Sequence, residues 1–280
     1  MEGIYSLMDI LLPFQWASHA FMRNAFLAVL LVTPLFGILS TMVVSNRMAF
    51  FSDSLGHGAF TGIAIGALLG IFSPMASLVA FSVLFALFIT YIKSKSSVST
   101  DTIIGVFSST AIALGLMLMS RGGSFNKFSV YLIGDLLSIT QEDLAALLLV
   151  FLAVLVLWAL LFNRLLVLSV NAAFASSRGI SSLWVESIFA SILAVVVAIS
   201  IQWVGILIIN SLLVLPAAGA RNITNDVKHY HLVSVLIALV SGISGLILAY
   251  YFNMAAGATI VAIASAIFFL TLLFKPKFTR

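Results

Sequence analysis

Asp53 and His57 stand four residues apart in a stretch that is otherwise apolar or built of small residues, Phe50-Phe-Ser-Asp-Ser-Leu-Gly-His-Gly-Ala-Phe-Thr-Gly-Ile-Ala. On a helix, positions i and i+4 lie one above the other on the same face. A carboxylate and an imidazole held that way can converge on one cation. Their mixed oxygen and nitrogen donors suit zinc, and also manganese or ferrous iron, whereas calcium and magnesium favour all-oxygen sites. Two ligands do not complete a tetrahedral sphere. A homodimer with this helix beside its twofold axis would supply four. The same spacing also serves a buried structural pair or a proton relay, and chemistry alone leaves all three open.

The helix that carries the pair has a second pattern. Gly58, Gly62, Gly66 and Gly70 recur at every fourth residue, a small-residue stripe that lets helices approach closely. The stripe is turned by about 100° from His57, so one face can pack while its neighbour lines a path.

The surroundings of this helix follow from composition. Of the 280 residues 62% are hydrophobic and 8% charged, against roughly 25% charged in a soluble domain. So much apolar surface cannot be hidden from water in a chain of this length, and the expectation is an all-α, polytopic membrane protein. Its apolar runs are continuous rather than alternating, which selects helices over a barrel. Phe26–Val44, Ile103–Met119 and Leu144–Phe162 are single spans. Residues 48–92 divide at Ser73-Pro74, residues 187–220 at Gln202-Trp203, and residues 231–274 at Asn253–Gly257. The count is nine spans, or eight if the 187–220 run holds a broken helix. The whole of 1–280 reads as one transmembrane domain, with residues 1–20 as an interfacial helix.

Charge placement orients it. Arg47, Lys93, Lys95, Arg164, Arg178, Arg221, Lys228, Lys275, Lys277 and Arg280 fall on one side; Arg23, Arg121 and Lys127 fall on the other. That asymmetry places the C-terminus in the cytoplasm. Trp16, Trp203, Tyr250 and Tyr251 are then expected at the outer interface, Tyr91 and Trp184 at the inner one. Measured from Arg47, Asp53 lies about 9 Å deep and His57 about 15 Å, a depth at which a carboxylate costs about 2.5–3.5 kcal/mol unless it faces protein or a wet cavity.

The same inventory closes other routes. There is no cysteine, which excludes disulfide scaffolds, thiolate metal sites and thiol nucleophiles. The scattered basic residues are no nucleic-acid footprint. No G-x-x-x-x-G-K-[ST] occurs, so nucleotide is not bound through a P-loop. The chain reads as a translocator, not an enzyme, with no permanently bound cofactor. Lesser candidates are Asn210, as interhelical glue or path lining, and His229 and His231, read as a solvated pair beside Lys228. Residues 163–183 form the longest inner connection, with an Ala-rich helical centre and a stop at Gly179.

Four collinear stretches resemble the zinc/manganese ABC-transporter permeases, the zinc-uptake permease family. They are Asn46–Ala64; Asp101-Thr-Ile-Ile-Gly-Val; Tyr131-Leu-Ile-Gly-Asp-Leu-Leu-Ser; and Val204-Gly-Ile-Leu-Ile-Ile-Asn-Ser-Leu-Leu-Val-Leu-Pro-Ala-Ala-Gly-Ala-Arg. The resemblance implies a homodimeric permease in a bacterial cytoplasmic membrane, working with cytoplasmic ABC ATPase subunits and an extracytoplasmic metal-binding protein. It implies zinc first and manganese second as cargo, with Asp53 and His57 of both protomers on the metal path and ATP used by the partner. It also implies that Asn171, Ala175, Arg178 and Gly179 belong to a coupling helix seated on the ATPase. The rival expectation is a proton-coupled secondary transporter using Asp53 and His57 as a relay.

Overall fold

The computed structural model of the chain describes residue 5 and residues 14–69, 74–122 and 134–278. Among these there is no strand. Nine long helices run in order: α1 (Ala20–Ser45), α2 (Ala49–Leu69), α3 (Pro74–Lys95), α4 (Thr100–Gly122), α5 (Gln141–Val170), α7 (Ser182–Val204), α8 (Ile206–Ile223), α9 (Val227–Phe252) and α10 (Ala256–Phe278), with the six-residue α6 (Ala172–Ser177) between α5 and α7. Each of them overlaps one of the expected apolar runs.

Seven helices are long and apolar enough by length and composition to cross a membrane among the described residues, against the eight or nine spans expected. Asp53, His57 and the serines and glycines around them lower the hydropathy of α2.

The breaks have local causes. Pro74 opens α3, where its missing N–H is no loss. Asn253 caps α9 in the left-handed region at φ 52°, a conformation asparagine tolerates better than most residues. The turn expected at Gln202-Trp203 falls instead at Gly205, which has φ 86° and donates its N–H to the Ile201 carbonyl at 2.9 Å. Glycine adopts that conformation without a Cβ penalty, so the helix continues through Trp203 to reach it. Residues 163–183 are not one loop: α5 continues to Val170, and α6 and a short turn lead into α7. Residues 1–4 and 6–13 of the expected interfacial helix lie outside the described residues, as do Gly70, Lys127 and Tyr131. Tyr91, Trp184 and Tyr251 are exposed as interfacial anchors must be, whereas Trp16 and Trp203 are buried.

The chain forms two compact units. One comprises Met1–Thr41, Gly134–Ala153 and Ser211–Arg280. Within it α1, α9 and α10 meet through small residues. A Cβ on Gly37 would come within 2.7 Å of the Val235 Cα, and one on Gly245 within 2.6 Å of the Ile260 Cα. Ser234 donates to the Gly37 carbonyl at 2.7 Å and lies 3.0 Å from the Ser40 hydroxyl. Without a hydrophobic drive between helices in lipid, close approach and such bonds hold the bundle together.

The other unit comprises Met42–Ile133 and Val154–Asn210, and α2 is its hub, packed against α3, α4 and α7. A Cβ on Gly58 would meet the Phe85 ring at 2.8 Å, and one on Gly62 would meet the Phe81 Cβ at 2.8 Å. Gly66 is buried as well. The Thr61 hydroxyl donates to the Ala111 carbonyl of α4. The small-residue stripe therefore seats α2 on α3, as its spacing suggests.

Candidate functional site

The α2 helix presents two unlike faces. Gly58 and Gly62 turn toward α3, while Asp53 and His57 lie on another side together with Phe50, which is exposed. Their side chains are 43% and 31% exposed respectively, and His57 Nε2 stands 3.7 Å from Asp53 Oδ2. That is too long for a hydrogen bond. It fits two ligands of one ion: metal bonds of about 2.1 Å opening at a tetrahedral angle put the ligand atoms about 3.4 Å apart.

One chain does not complete such a site. Among the described residues no group of three or more His, Cys, Asp or Glu side chains is placed to hold a metal. Asn210 approaches closest in sequence terms, since Ser52, the residue before Asp53, donates its hydroxyl to Asn210 Oδ1 at 2.9 Å. Asn210 thus links α8 to α2 through this bond. His229 and His231 are separate from the pair. Asp226 caps α9, accepting from the His229 N–H at 2.9 Å, with its other oxygen 2.5 Å from the His229 ring. His231 turns back to the Val227 carbonyl at 2.7 Å. His19 stacks near Phe21 and Tyr250. All three histidines have local partners of a structural kind.

The α6 segment is a closed, capped element. Asn171 accepts from the Phe174 N–H at 3.0 Å. At the other end Gly179, at φ 72°, lets its N–H reach the Ser176 carbonyl at 2.9 Å and that of Ile180 reach the Ala175 carbonyl at 3.0 Å, the paired bonds of a left-handed helix stop. Phe174 is exposed with the Arg178 guanidinium over its ring at 5.1 Å, and Trp184 is exposed nearby in sequence. Ala175 is fully buried, so it seats α6 within the chain; the surface belongs to Asn171, Phe174, Arg178 and Gly179.

The Lys93–Glu186 ion pair, 2.7 Å between Nζ and Oε2, has no counterpart in the sequence reading. Its partners are 93 residues apart, and no local pattern links them.

Comparisons with known proteins agree on the family. The model of the ABC 3 transport family matches residues 18–275. The manganese transport system membrane protein MntC of Listeria monocytogenes is 29% identical over 259 residues, covering 92% of each chain. The high-affinity zinc uptake system membrane protein ZnuB of Buchnera aphidicola is 30% identical over 251 residues, covering 89% of this chain and 96% of that one. Among solved structures, PsaBC from Streptococcus pneumoniae in complex with Fab aligns with a TM-score of 0.81 at 28% identity, covering 100% of this chain and 98% of that chain. Fold and family match together define a multi-pass membrane permease of the ABC transporter class. The chain belongs to the ABC 3 transport family.

Proposed function

We propose that this chain is the translocating subunit of an ABC importer for a divalent transition metal, zinc ahead of manganese, in a bacterial cytoplasmic membrane. The observation that carries the reading is the Asp53–His57 pair, at the separation of two ligands on one ion and on a partly open face of α2. The names of the relatives, which divide between manganese and zinc, support the class of cargo.

The open face argues for a second copy. A carboxylate turned to lipid costs about 2.5–3.5 kcal/mol or more. A twofold-related α2 covering it removes that cost and raises the ligands from two to four. The ion then passes a site that binds well enough to admit it and weakly enough to release it. Energy comes from ATP hydrolysed by a cytoplasmic partner docked on α6 through Asn171, Phe174, Arg178 and Gly179. An extracytoplasmic protein delivers the metal, and the C-terminus lies in the cytoplasm. Membership of an ABC family favours this reading over the proton relay.

The test is uptake of radioactive zinc in cells lacking their own importer, at matched membrane expression. His57→Ala and Asp53→Ala are expected to lower uptake by about tenfold or more, the effect of losing about 1.4 kcal/mol at the site. Weak competition by excess manganese supports zinc as the cargo; strong competition reverses the order. Wild-type uptake in both variants removes the pair from the path. Uptake that survives ATP depletion and collapses with the proton gradient selects the relay.

A further inference from the structure

We infer that the Lys93–Glu186 ion pair is the strut that carries displacement of α6 to the foot of α2, a positioning role that rests on α6 being the ATPase-facing element proposed above. Lys93 lies in the last turn of α3 and Glu186 in the second turn of α7, and their side chains are 30% and 22% exposed. A pair so far withdrawn from solvent is screened less than a surface pair, and removing one partner leaves the other charge uncompensated.

On one side of the pair, the connection to α6 has no slack. Ile180 is bonded back to Ala175, Gly179 to Ser176, and the Val185 N–H to the Ser181 carbonyl at 3.1 Å. Glu186 therefore follows α6 through residues held by successive backbone bonds. On the other side lies the start of α2. Arg47, Met48, Phe51, Thr90, Lys93 and Glu186 are among the residues that line a partly open cleft of ≈ 10 Å³, about the space of one water. The pair and the first turn of α2 line the same small cleft, so a shift of α7 is passed on with little room to absorb it.

Charge sharpens the argument. Glu186 is the one carboxylate among the lining residues and faces two cations, Arg47 and Lys93. Arg47 is itself held in the left-handed region at φ 56° by the turn between α1 and α2, with its N–H on the Val44 carbonyl at 3.2 Å and that of Met48 on the Val43 carbonyl at 2.8 Å. Without Glu186 the two cations that line this cleft lose their shared carboxylate, and the foot of α2 loses the group that sets its position. Asp53 and His57 sit on the helix so positioned.

The experiment uses the whole transporter, this chain with its ATPase and binding protein, in proteoliposomes, and reads zinc uptake and ATP hydrolysis together. Glu186→Lys is expected to lower uptake about tenfold while hydrolysis stays within about twofold, since a coupling contact is lost and the nucleotide site is not. The exchanged pair Lys93→Glu with Glu186→Lys is expected to recover uptake to within about threefold of wild type. Glu186→Gln, which keeps the size and removes the charge, gives a smaller loss of the same kind and serves where the reversal does not reach the membrane. Unchanged uptake in both Glu186 variants overturns the inference. So does a parallel loss of uptake and hydrolysis that the exchanged pair leaves unrepaired, the signature of a merely structural pair. Failure of the underlying reading looks different: the wild-type chain would recruit no ATPase or carry no zinc, whatever stands at 186.

Discussion

Helices α2 and α9 are built on the same packing device and put to opposite uses. Each is seated on its neighbours through glycines, Gly58 and Gly62 in α2 and Gly242 and Gly245 in α9. Their other faces differ. α9 exposes Leu232, Leu236, Val240 and Leu248, a surface that lipid can cover at no cost. α2 exposes Phe50 beside the half-buried Asp53 and His57, a surface that lipid covers only at a penalty. The difference teaches that the glycine stripe marks where a helix packs and not what it does. Function is read from the face the stripe leaves free.

The comparison can be broken most forcefully by exchanging those free faces. Val240→Asp, which puts a carboxylate on the apolar face of α9, is expected to destabilise membrane insertion of that helix by about 2.5–3.5 kcal/mol, whereas Asp53→Leu in α2 improves insertion by a similar amount. Glycosylation mapping of inserted and non-inserted chains measures both. Equal effects of either sign in the two helices would end the distinction.

Packing gives the next largest effects. Gly245→Ala drives a methyl against the backbone of Ile260, Gly62→Ala against Phe81 and the Leu78 backbone, and Gly58→Ala against the Phe85 ring. A backbone atom cannot give way and a ring can swing. The expected losses run in that order, from about 3 down to about 1 kcal/mol, and the thermal midpoint of the purified protein checks them. A Gly58 variant less stable than the Gly245 variant would refute the ranking.

The smallest effect lies at the solvent end of α9. Asp226 accepts from the His229 N–H and bonds the His229 ring, which holds its carboxyl below the ordinary value of 3.8. Because the folded-state value is the lower one, the stabilisation is complete above the ordinary value and is lost as pH falls through the folded one. Asp226→Asn keeps a capping oxygen and loses only the charge. The wild type is expected to melt slightly above this variant at neutral pH, and the gap to close as the pH falls below 3.8. A gap that widens in acid would reverse the sign of the argument.

Much of this architecture was legible in residue order. Long apolar runs mark the helices, α2 with its Asp53 included, and Pro74 and Asn253 mark two of the three breaks inside double-length runs. The third was misplaced by three residues because polarity was followed to Gln202 when backbone freedom pointed to Gly205. The Asp53–His57 pair was legible because its spacing is local. Ser52–Asn210 and Lys93–Glu186 were not, since their partners lie 158 and 93 residues apart. Nothing in either helix alone announces such a meeting. The buried position of Ala175 was hidden for the same reason: a six-residue helix has no period long enough to show its inner face.

The bonded turn from Ala175 to Ile180 has a kinetic consequence. A slack loop at this place would fluctuate on the nanosecond to microsecond scale and dissipate any push within itself. An elbow closed by two backbone bonds moves only with the helices on either side of it. Transitions that pass through it then run at the pace of helix rearrangement, microseconds to milliseconds, rather than at the pace of thermal noise in the connection.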